Sequence, residues 1–531
     1  MNTELLPVSP ETVRKAGALL AGGALCAIPT ETVYGLAANA LDARAVARIF
    51  EAKGRPQDNP LIVHIARIEQ LGDVCESVPD AALALADRFW PGPLTMLLPK
   101  SAVVPDITTA ELATVGVRMP SHEGARAIIE AAGVPLAAPS ANASGRPSPT
   151  TAEHVLEDMD GKIPLIVDGG PCTFGMESTV VDMTSAVPRI LRPGAITLEM
   201  IEDALGQAEL DAGVARALRE GEVARSPGMK YRHYAPHAPV VCFEGAPEDT
   251  ANAIRAAWRE GDRVLSFFEY WDLPNAYSYA ESCDPEGVGR GLFAALRSFD
   301  GQVVARILAQ CPRAVGRGAA SANRLRRAAA FDCVSCTEGA VVGVTGRTGS
   351  GKSAFAVAAQ GLGFAVLDAD VIYKTLLQTD ENLLHALRAR FPAAFASGAL
   401  DRGALARIVF ADETARLKLN AMTHPAVAAE MQRRMTELRA EGQTRIVLDV
   451  PLLFESGIDR LCTATVGVLA PHETSVARVA ARDGIDENAA RARLAAQPDD
   501  AFYLKRCDVT LQNRGDADAF RANAQRLLAR L

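Results

Sequence analysis

At 531 residues the chain is too long for one ordinary hydrophobic core and predicts three or four domains. Its 49% hydrophobic content excludes extensive disorder, and its net charge of -9 speaks against a broadly basic nucleic-acid coat while permitting a local cationic pocket. Ten cysteines, spread singly apart from Cys333 and Cys336, exclude a small disulfide-framed scaffold and fit reduced thiols.

From the N-terminus, an apolar run over 16–28 has the length of a signal segment. Glu4 and Glu11 precede it and Pro29-Thr30-Glu31-Thr32 follows it, so it reads as part of a folded domain. No run reaches the length of a membrane span, and a cytoplasmic protein is expected. Short apolar runs at 23–28, 61–65, 94–98, 115–118, 136–138, 165–167 and 179–182 predict strands, and 43–53 and 81–89 carry helical spacing. These make a first domain over 1–205.

A linker is expected over 206–239, where 221–239 is polar and rich in Pro and Gly. A smaller α/β unit follows over 240–332, with strands at 240–243 and 263–268 and a helix at 291–308. A second linker is expected at 333–339. Its Cys333-x-x-Cys336 pair has no second CxxC and no HxxxH partner nearby, so no zinc is expected. From Ala340 to Leu531, continuous apolar strands at 341–345, 365–367, 445–450 and 465–469 alternate with long helices. That pattern predicts a parallel sheet covered on both faces.

The run Gly346-Arg347-Thr348-Gly349-Ser350-Gly351-Lys352-Ser353 lies between a predicted strand and a predicted helix, the context a phosphate-binding P-loop requires. Its glycines let successive N–H groups face phosphates, with Lys352 reaching the β- and γ-phosphates and Ser353 holding Mg²⁺. Asp368 and Asp370, at the end of the next strand, offer a proton acceptor. Together with Asp401-Arg402, His424-Pro425, the string DVPLLFE from Asp449, and Arg478, Arg482 and Gln497, these pieces resemble dephospho-CoA kinase over 340–531. The resemblance implies phosphoryl transfer from ATP to a ribose 3′-hydroxyl, with Asp370 as base or orienting group. Arg478 and Arg482 would bring charge over the phosphoryl group. Ala354, Lys374 and the segment from Cys507 depart from the family's pattern, which leaves a degenerate kinase as a competing reading.

The first two thirds holds no single strong motif. It holds small polar and cationic residues at strand ends, which suit a polyanion pocket. The strings PTETVYGL, KGRPQDNPLIVH, FWPGPLT, VRMP, PSANASGRPSPT, GMESTV and LRPGAI, with SPGMKYRHYAPHAP and GRGAASANRLRRAA behind them, resemble the long form of threonylcarbamoyl-AMP synthase. That family is a YrdC-type twisted-sheet domain with a C-terminal extension. The resemblance implies that threonine and bicarbonate form N-carboxythreonine, whose carboxylate attacks the α-phosphorus of ATP. Thr32, His64, Arg118, Ala138 and Ser178 would hold threonine. Lys53, Arg55, Asn59, Thr114, Ser140, Asn142, Ser148, Arg192 and Tyr231 would surround ATP, with Lys53 and Arg55 counted as catalytic cations. Tyr231 and Tyr234 would close over the site as a flap.

The expected fold is therefore an α/β multidomain chain: a YrdC-like domain, a small Rossmann-like extension and a P-loop kinase. Expected ligands are ATP with Mg²⁺ at both sites, L-threonine, bicarbonate and dephospho-CoA, with no organic cofactor and no membrane. The adenylate would pass to a tRNA threonylcarbamoyl-transfer complex. A reading of a different class, a non-catalytic RNA-binding module in the N-terminal part, stays open at this stage.

Overall fold

The computed structural model describes residues 2–214, 216, 225–226 and 234–531. The chain folds into two compact units: Met1–Glu244 with Ala253–Val334, and Gly245–Asn252 with Ser335–Leu531.

The first unit is built on eleven strands: β1 (Glu4–Pro7), β2 (Cys26–Ile28), β3 (Gly35–Asn39), β4 (Ile62–His64), β5 (Leu94–Pro99), β6 (Thr114–Arg118), β7 (Leu136–Ala137), β8 (Leu165–Asp168), β9 (Thr179–Asp182), β10 (Arg189–Arg192) and β11 (Glu209–Leu210). They form one mixed sheet in the order β1-β8-β2-β3-β7-β4-β6-β5-β9-β10-β11. Alternate residues of β2 serve opposite faces: Ala27 joins one apolar cluster, Cys26 and Ile28 another. The second cluster lies under helices Pro10–Ala21 and Glu123–Ala132, which touch so closely that a Cβ on Gly17 would sit 2.6 Å from the Cβ of Ala131. Much of the apolar run expected at 16–28 is thus an amphipathic helix before its strand begins.

Local signals set the site. Asp42 caps helix Ala43–Lys53 at its start and Gly54, at φ 60°, ends it. The turn places Lys53 at the last helical position and Arg55 just beyond. The strand β6 ends on Arg118 and β10 on Arg192, so each delivers its guanidinium at a strand terminus.

The extension adds β12 (Val240–Glu244), β13 (Arg263–Ser266), β14 (Ala276–Ser278), β15 (Ile307–Gln310) and β16 (Cys333–Ser335), in the order β14-β13-β15-β12-β16. Three details correct the sequence reading. The helix runs Pro285–Ser298, and 307–310 is a strand, because the Asp300-Gly301 break ends the helical pattern and Ile307-Leu308 pair with β12. The strands β11 and β16 lie where linkers were expected; each is an edge strand of two or three residues, too short to mark itself in the sequence, and is made by backbone pairing.

The second unit carries β17 (Ala340–Thr345), β18 (Ala365–Asp368), β19 (Arg445–Asp449), β20 (Ala464–Leu469) and β21 (Val509–Gln512), all parallel, in the order β18-β19-β17-β20-β21. Val341, Ile446 and Leu448 join one apolar cluster, whereas Val342, Val344 and Val447 join another, so both faces are covered by helices as the continuous apolar runs imply. The α/β class holds throughout.

Candidate functional site

A cavity opens at strand ends of the first unit, about 540 Å³ when the solvent space at its mouth is included. Its lining brings together all five residues proposed for threonine (Thr32, His64, Arg118, Ala138 and Ser178) with Arg55, Ser140, Arg192 and Tyr234. Three arginines face one small space, and each is less than a tenth exposed.

Each guanidinium is held. Arg118 donates to the Thr32 hydroxyl at 2.8 Å and pairs with Glu31 at 2.6 Å, both partners buried. Arg192 donates to the carbonyl and hydroxyl of Ser178 at 3.1 and 3.2 Å, and Ser178 is hydrogen-bonded to Thr95 at 2.7 Å. Arg55 donates to the Asn59 and Pro60 carbonyls at 3.3 and 3.2 Å. Burial, aided by Arg192, lowers Arg55 to about 10. Burial, aided by Arg324 and Arg118, lowers Arg192 to about 10. Both stay charged at neutral pH, and a bound anion would relieve their repulsion.

The other candidates lie around the cavity. Lys53 is buried and donates to the Asn142 carbonyl at 2.6 Å and to that of Ser140, so it ties the Ser140–Asn142 loop to the helix. Burial first, then Arg55, pushes its ammonium well below the ordinary value. The Asn59 and Asn142 side-chain oxygens are buried without a hydrogen-bond partner among the described residues. Ser148 donates to Glu177. Thr114 begins the strand that Arg118 ends, about 13 Å away at ~3.3 Å per residue. It does not line the cavity. Tyr231 lies outside the described residues.

His64 has its Nδ1 3.2 Å from the Ile62 carbonyl. Burial, with Arg118 nearby, pushes the ring down to about 3. The folded chain takes up this proton less readily than the unfolded one. The stability tied to the neutral ring is therefore complete above pH ~6.5 and erodes as pH falls toward 3. We expect the His64 ring to show no titration by NMR between pH 5 and 8, and threonine binding to have no inflection from it.

Three residues were given no role in the sequence reading. Glu31, in the turn between β2 and β3, neutralises Arg118. Glu177 lines the cavity and pairs with Arg324 at 2.9 Å. Arg324 comes from the extension, is fully buried, donates to the Pro193 carbonyl at 2.9 Å and sits 5.6 Å from the Tyr234 ring centre. The extension thereby braces two of the lining residues, Glu177 and Tyr234. Glu31 and Glu177 stood inside the strings PTETVYGL and GMESTV, but nothing in their spacing marked a partner.

The second site is the loop after β17. Gly346, Gly349 and Gly351 have φ of 144°, 79° and 113°, and a Cβ on Gly346 would meet the Val468 carbonyl at 2.3 Å. Lys352 bridges the Gly346 and Arg347 carbonyls at 2.8 and 3.3 Å. Gln497 brackets Thr348, accepting from its N–H and donating to its hydroxyl, both at 2.9 Å. Asn513 donates to the Ser350 carbonyl at 2.8 Å, and Arg478 reaches the Gly349 carbonyl at 3.2 Å. Arg347 points away, donating to the Leu494 carbonyl at 2.7 Å. Ser353, exposed, stands in the first helical turn. Arg482 is mostly exposed and paired with Asp483 at 2.7 Å, so it reaches a phosphoryl group only by exchanging that partner.

Opposite Lys352 stand acidic groups. Asp368 caps helix Ala369–Thr379, and Asp370 is exposed in its first turn. In register with both β17 and β18, Asp449 ends β19. Its Oδ1 is buried without a hydrogen-bond partner among the described residues. Burial, opposed by Lys352 and reinforced by Asp368 and Asp370, raises Asp449 from 3.8 to about 6. Its contribution to stability is therefore full below pH ~4 and lost as pH rises through ~6. We expect Asp449→Asn to stabilise the unit at pH 7.5 by at most about 3 kcal/mol, with no gain below pH ~4, while kinase turnover falls. Urea unfolding at both pH values checks this.

Known proteins match both sites. A family model described as "Telomere recombination" matches residues 18–194, one described as "Threonylcarbamoyl-AMP synthase, C-terminal domain" matches 196–330, and one described as "Dephospho-CoA kinase" matches 340–519. A threonylcarbamoyl-AMP synthase of Pyrococcus abyssi is 48% identical over 324 residues, 60% of this chain and 94% of that protein. A dephospho-CoA kinase of Syntrophotalea carbinolica is 39% identical over 193 residues, 36% of this chain and 92% of that protein. The chain belongs to the threonylcarbamoyl-AMP synthase and dephospho-CoA kinase families. It is a bifunctional enzyme, a nucleotidyltransferase joined to a phosphotransferase. The crystal structure of P. abyssi Sua5 complexed with L-threonine superposes with a TM-score of 0.59 at 45% identity, covering 63% of this chain and 99% of that one. The cavity thus belongs to the synthase, and the P-loop to the kinase. Among the described residues no helix is long and apolar enough to cross a membrane.

Proposed function

We propose that the synthase cavity gathers threonine at Arg118 and ATP at Arg55 and Arg192, and that the reaction proceeds without a side-chain nucleophile. The carrying observation is the convergence of three buried arginines on one small cavity. Arg118 would pair with the threonine carboxylate, with Thr32, His64, Ala138 and Ser178 shaping that subsite. The carbamate oxygen of N-carboxythreonine attacks the α-phosphorus, the bond to the bridging oxygen breaks, and pyrophosphate carries off the electron pair. Fixed guanidinium groups in a dry site favour the charge that builds on phosphorus. Lys53 acts by holding the Ser140–Asn142 loop. Glu177 is already paired with Arg324, so a divalent ion here would be held by the phosphates of ATP.

In the kinase, the Gly346–Ser353 loop would cradle the phosphates of a second ATP, with Lys352 at the β- and γ-oxygens. Asp370 would take the proton of the ribose 3′-hydroxyl of dephospho-CoA as that oxygen attacks the γ-phosphorus and ADP leaves. The orphaned Asp449 oxygen and the Ser353 hydroxyl are the groups that would hold Mg²⁺. Bound Mg²⁺ supplies charge neutralisation of the phosphates. Arg478 and Arg482 would add positive charge as the helix His472–Asp483 moves in.

A cytoplasmic enzyme handing its adenylate to a tRNA-modifying partner completes this reading. A small cavity lined by buried arginines favours a small anionic substrate over an RNA strand, which needs a long groove with stacking aromatics. Release of pyrophosphate that requires threonine, bicarbonate and ATP together tests it. Binding of RNA with no such release would overturn it.

A further inference from the structure

Ten cysteines are free thiols, and eight of them are buried. Three of the ten lie on or beside neighbouring strands of the extension. Cys242 lies on β12, the strand flanked by β15 on one side and β16 on the other. Cys311 directly follows β15, and its N–H donates to the Phe243 carbonyl at 2.8 Å. Cys333 opens β16, and the Cys242 N–H donates to the carbonyl of its neighbour Asp332 at 2.9 Å. Cys242 pairs with Ala309, so Cys242, Glu244 and Cys311 fall on one face of the sheet by the two-residue period. The Cys311 and Cys333 thiols are the nearest interacting neighbours of the Cys242 thiol. The Sγ atoms of Cys242 and Cys333 and a carboxylate oxygen of Glu244 all lie within 4.8 Å of one another.

We propose that Cys242, Cys311, Cys333 and Glu244 form a binding site for a thiophilic divalent cation, zinc. Three sulfurs and one carboxylate oxygen are a tetrahedral zinc donor set, in which sulfurs ~2.3 Å from the metal stand about 3.8 Å apart. Cys242, Cys333 and Glu244 need only a small contraction to reach that spacing, and Cys311, outside that close group, would turn in as the fourth donor. Charge also favours it. Three thiolates and a carboxylate carry four negative charges, zinc returns two, and Arg326 adds one more positive charge beside them. Arg326 grips Glu244 at 2.5 and 3.1 Å, so it orients the carboxylate while one oxygen turns to the metal. Cys242 and Cys311 are buried, whereas Cys333 and Glu244 are partly exposed, which gives the ion an entry path. Buried thiols that serve only as small apolar side chains need neither the carboxylate nor the opening. The set omits Cys336, so the CxxC spacing is incidental and the chelate is made by strand order.

The test uses the full chain, reduced and stripped of metal, then titrated with Zn²⁺ against a chromogenic chelator and, separately, with Co²⁺. One equivalent of Zn²⁺ is expected, and Co²⁺ should give the thiolate-to-cobalt charge-transfer band and the intense visible bands of a tetrahedral site. Cys333→Ser, at the partly exposed position, should weaken Zn²⁺ by roughly a hundredfold or more without unfolding the chain. Glu244→Gln should keep the charge-transfer band and weaken binding less, and Cys336→Ser should change neither stoichiometry nor affinity. Failure of the wild-type chain to hold Zn²⁺ against the chelator would overturn the proposal. So would absence of the charge-transfer band, unchanged binding in Cys333→Ser, or loss of binding in Cys336→Ser.

Discussion

Lys352→Ala abolishes coenzyme A formation, by about a thousandfold or more, and leaves threonylcarbamoyl-AMP synthesis at its original rate. Two effects add in the kinase. The ammonium that would face the β- and γ-oxygens is lost, and removal of one preorganised charge of that kind costs about 3–4 kcal/mol of transition-state stabilisation. Its two hydrogen bonds to the Gly346 and Arg347 carbonyls also vanish, so the loop loses its internal clasp. The same change leaves Asp449 facing Asp368 and Asp370 with no opposing cation, since Lys352 is what lowers its pKa. The variant should therefore become less stable as pH rises through 6. Coupled assays of ADP and pyrophosphate on one preparation read both arms. A parallel loss of pyrophosphate release would refute the independence of the two sites.

Arg118→Ala has a different signature, because it damages binding and folding together. Glu31 is buried against that guanidinium at 2.6 Å, and stranding a buried carboxylate costs about 3–5 kcal/mol. Threonine loses its carboxylate partner at the same time, and KM for threonine should rise roughly a hundredfold, since a hydrogen bond to a charged group contributes about 1.5–3 kcal/mol. The double variant Arg118→Ala with Glu31→Gln separates the two. It should recover most of the stability in urea and none of the threonine affinity. Recovery of affinity would mean that Arg118 serves the fold alone.

Much of this was legible in the chain before any coordinates. The glycine spacing around Lys352 and the apolar strands beside it specify a parallel sheet with a phosphate loop, because backbone curl and two-sided burial both leave local marks. Arg55, Arg118 and Arg192 stood out because each lies at or just past the end of a helix or strand, and the family resemblance gave them their roles. Their partners did not. Glu31 meets Arg118 only through pairing of distant strands, and Arg324 reaches Glu177 from 147 positions away. Such pairs have no period to read. The edge strands β11 and β16 were hidden for a related reason: at two and three residues they are too short to show a period, and backbone pairing with a neighbour makes them strands. The helix expected to run to 308 failed on its second half, where Ile307 and Leu308 pair with β12.

The account's central claim is that one chain completes two separate ATP-consuming reactions. The most direct measurement supplies purified full chain with ATP labelled at the α- or the γ-phosphate, together with threonine, bicarbonate and dephospho-CoA. The account predicts α-label in threonylcarbamoyl-AMP and γ-label in coenzyme A, each formed at a rate that saturation of the other site's substrates leaves unchanged. Absence of either labelled product, or suppression of one reaction by the other's substrates, would contradict it.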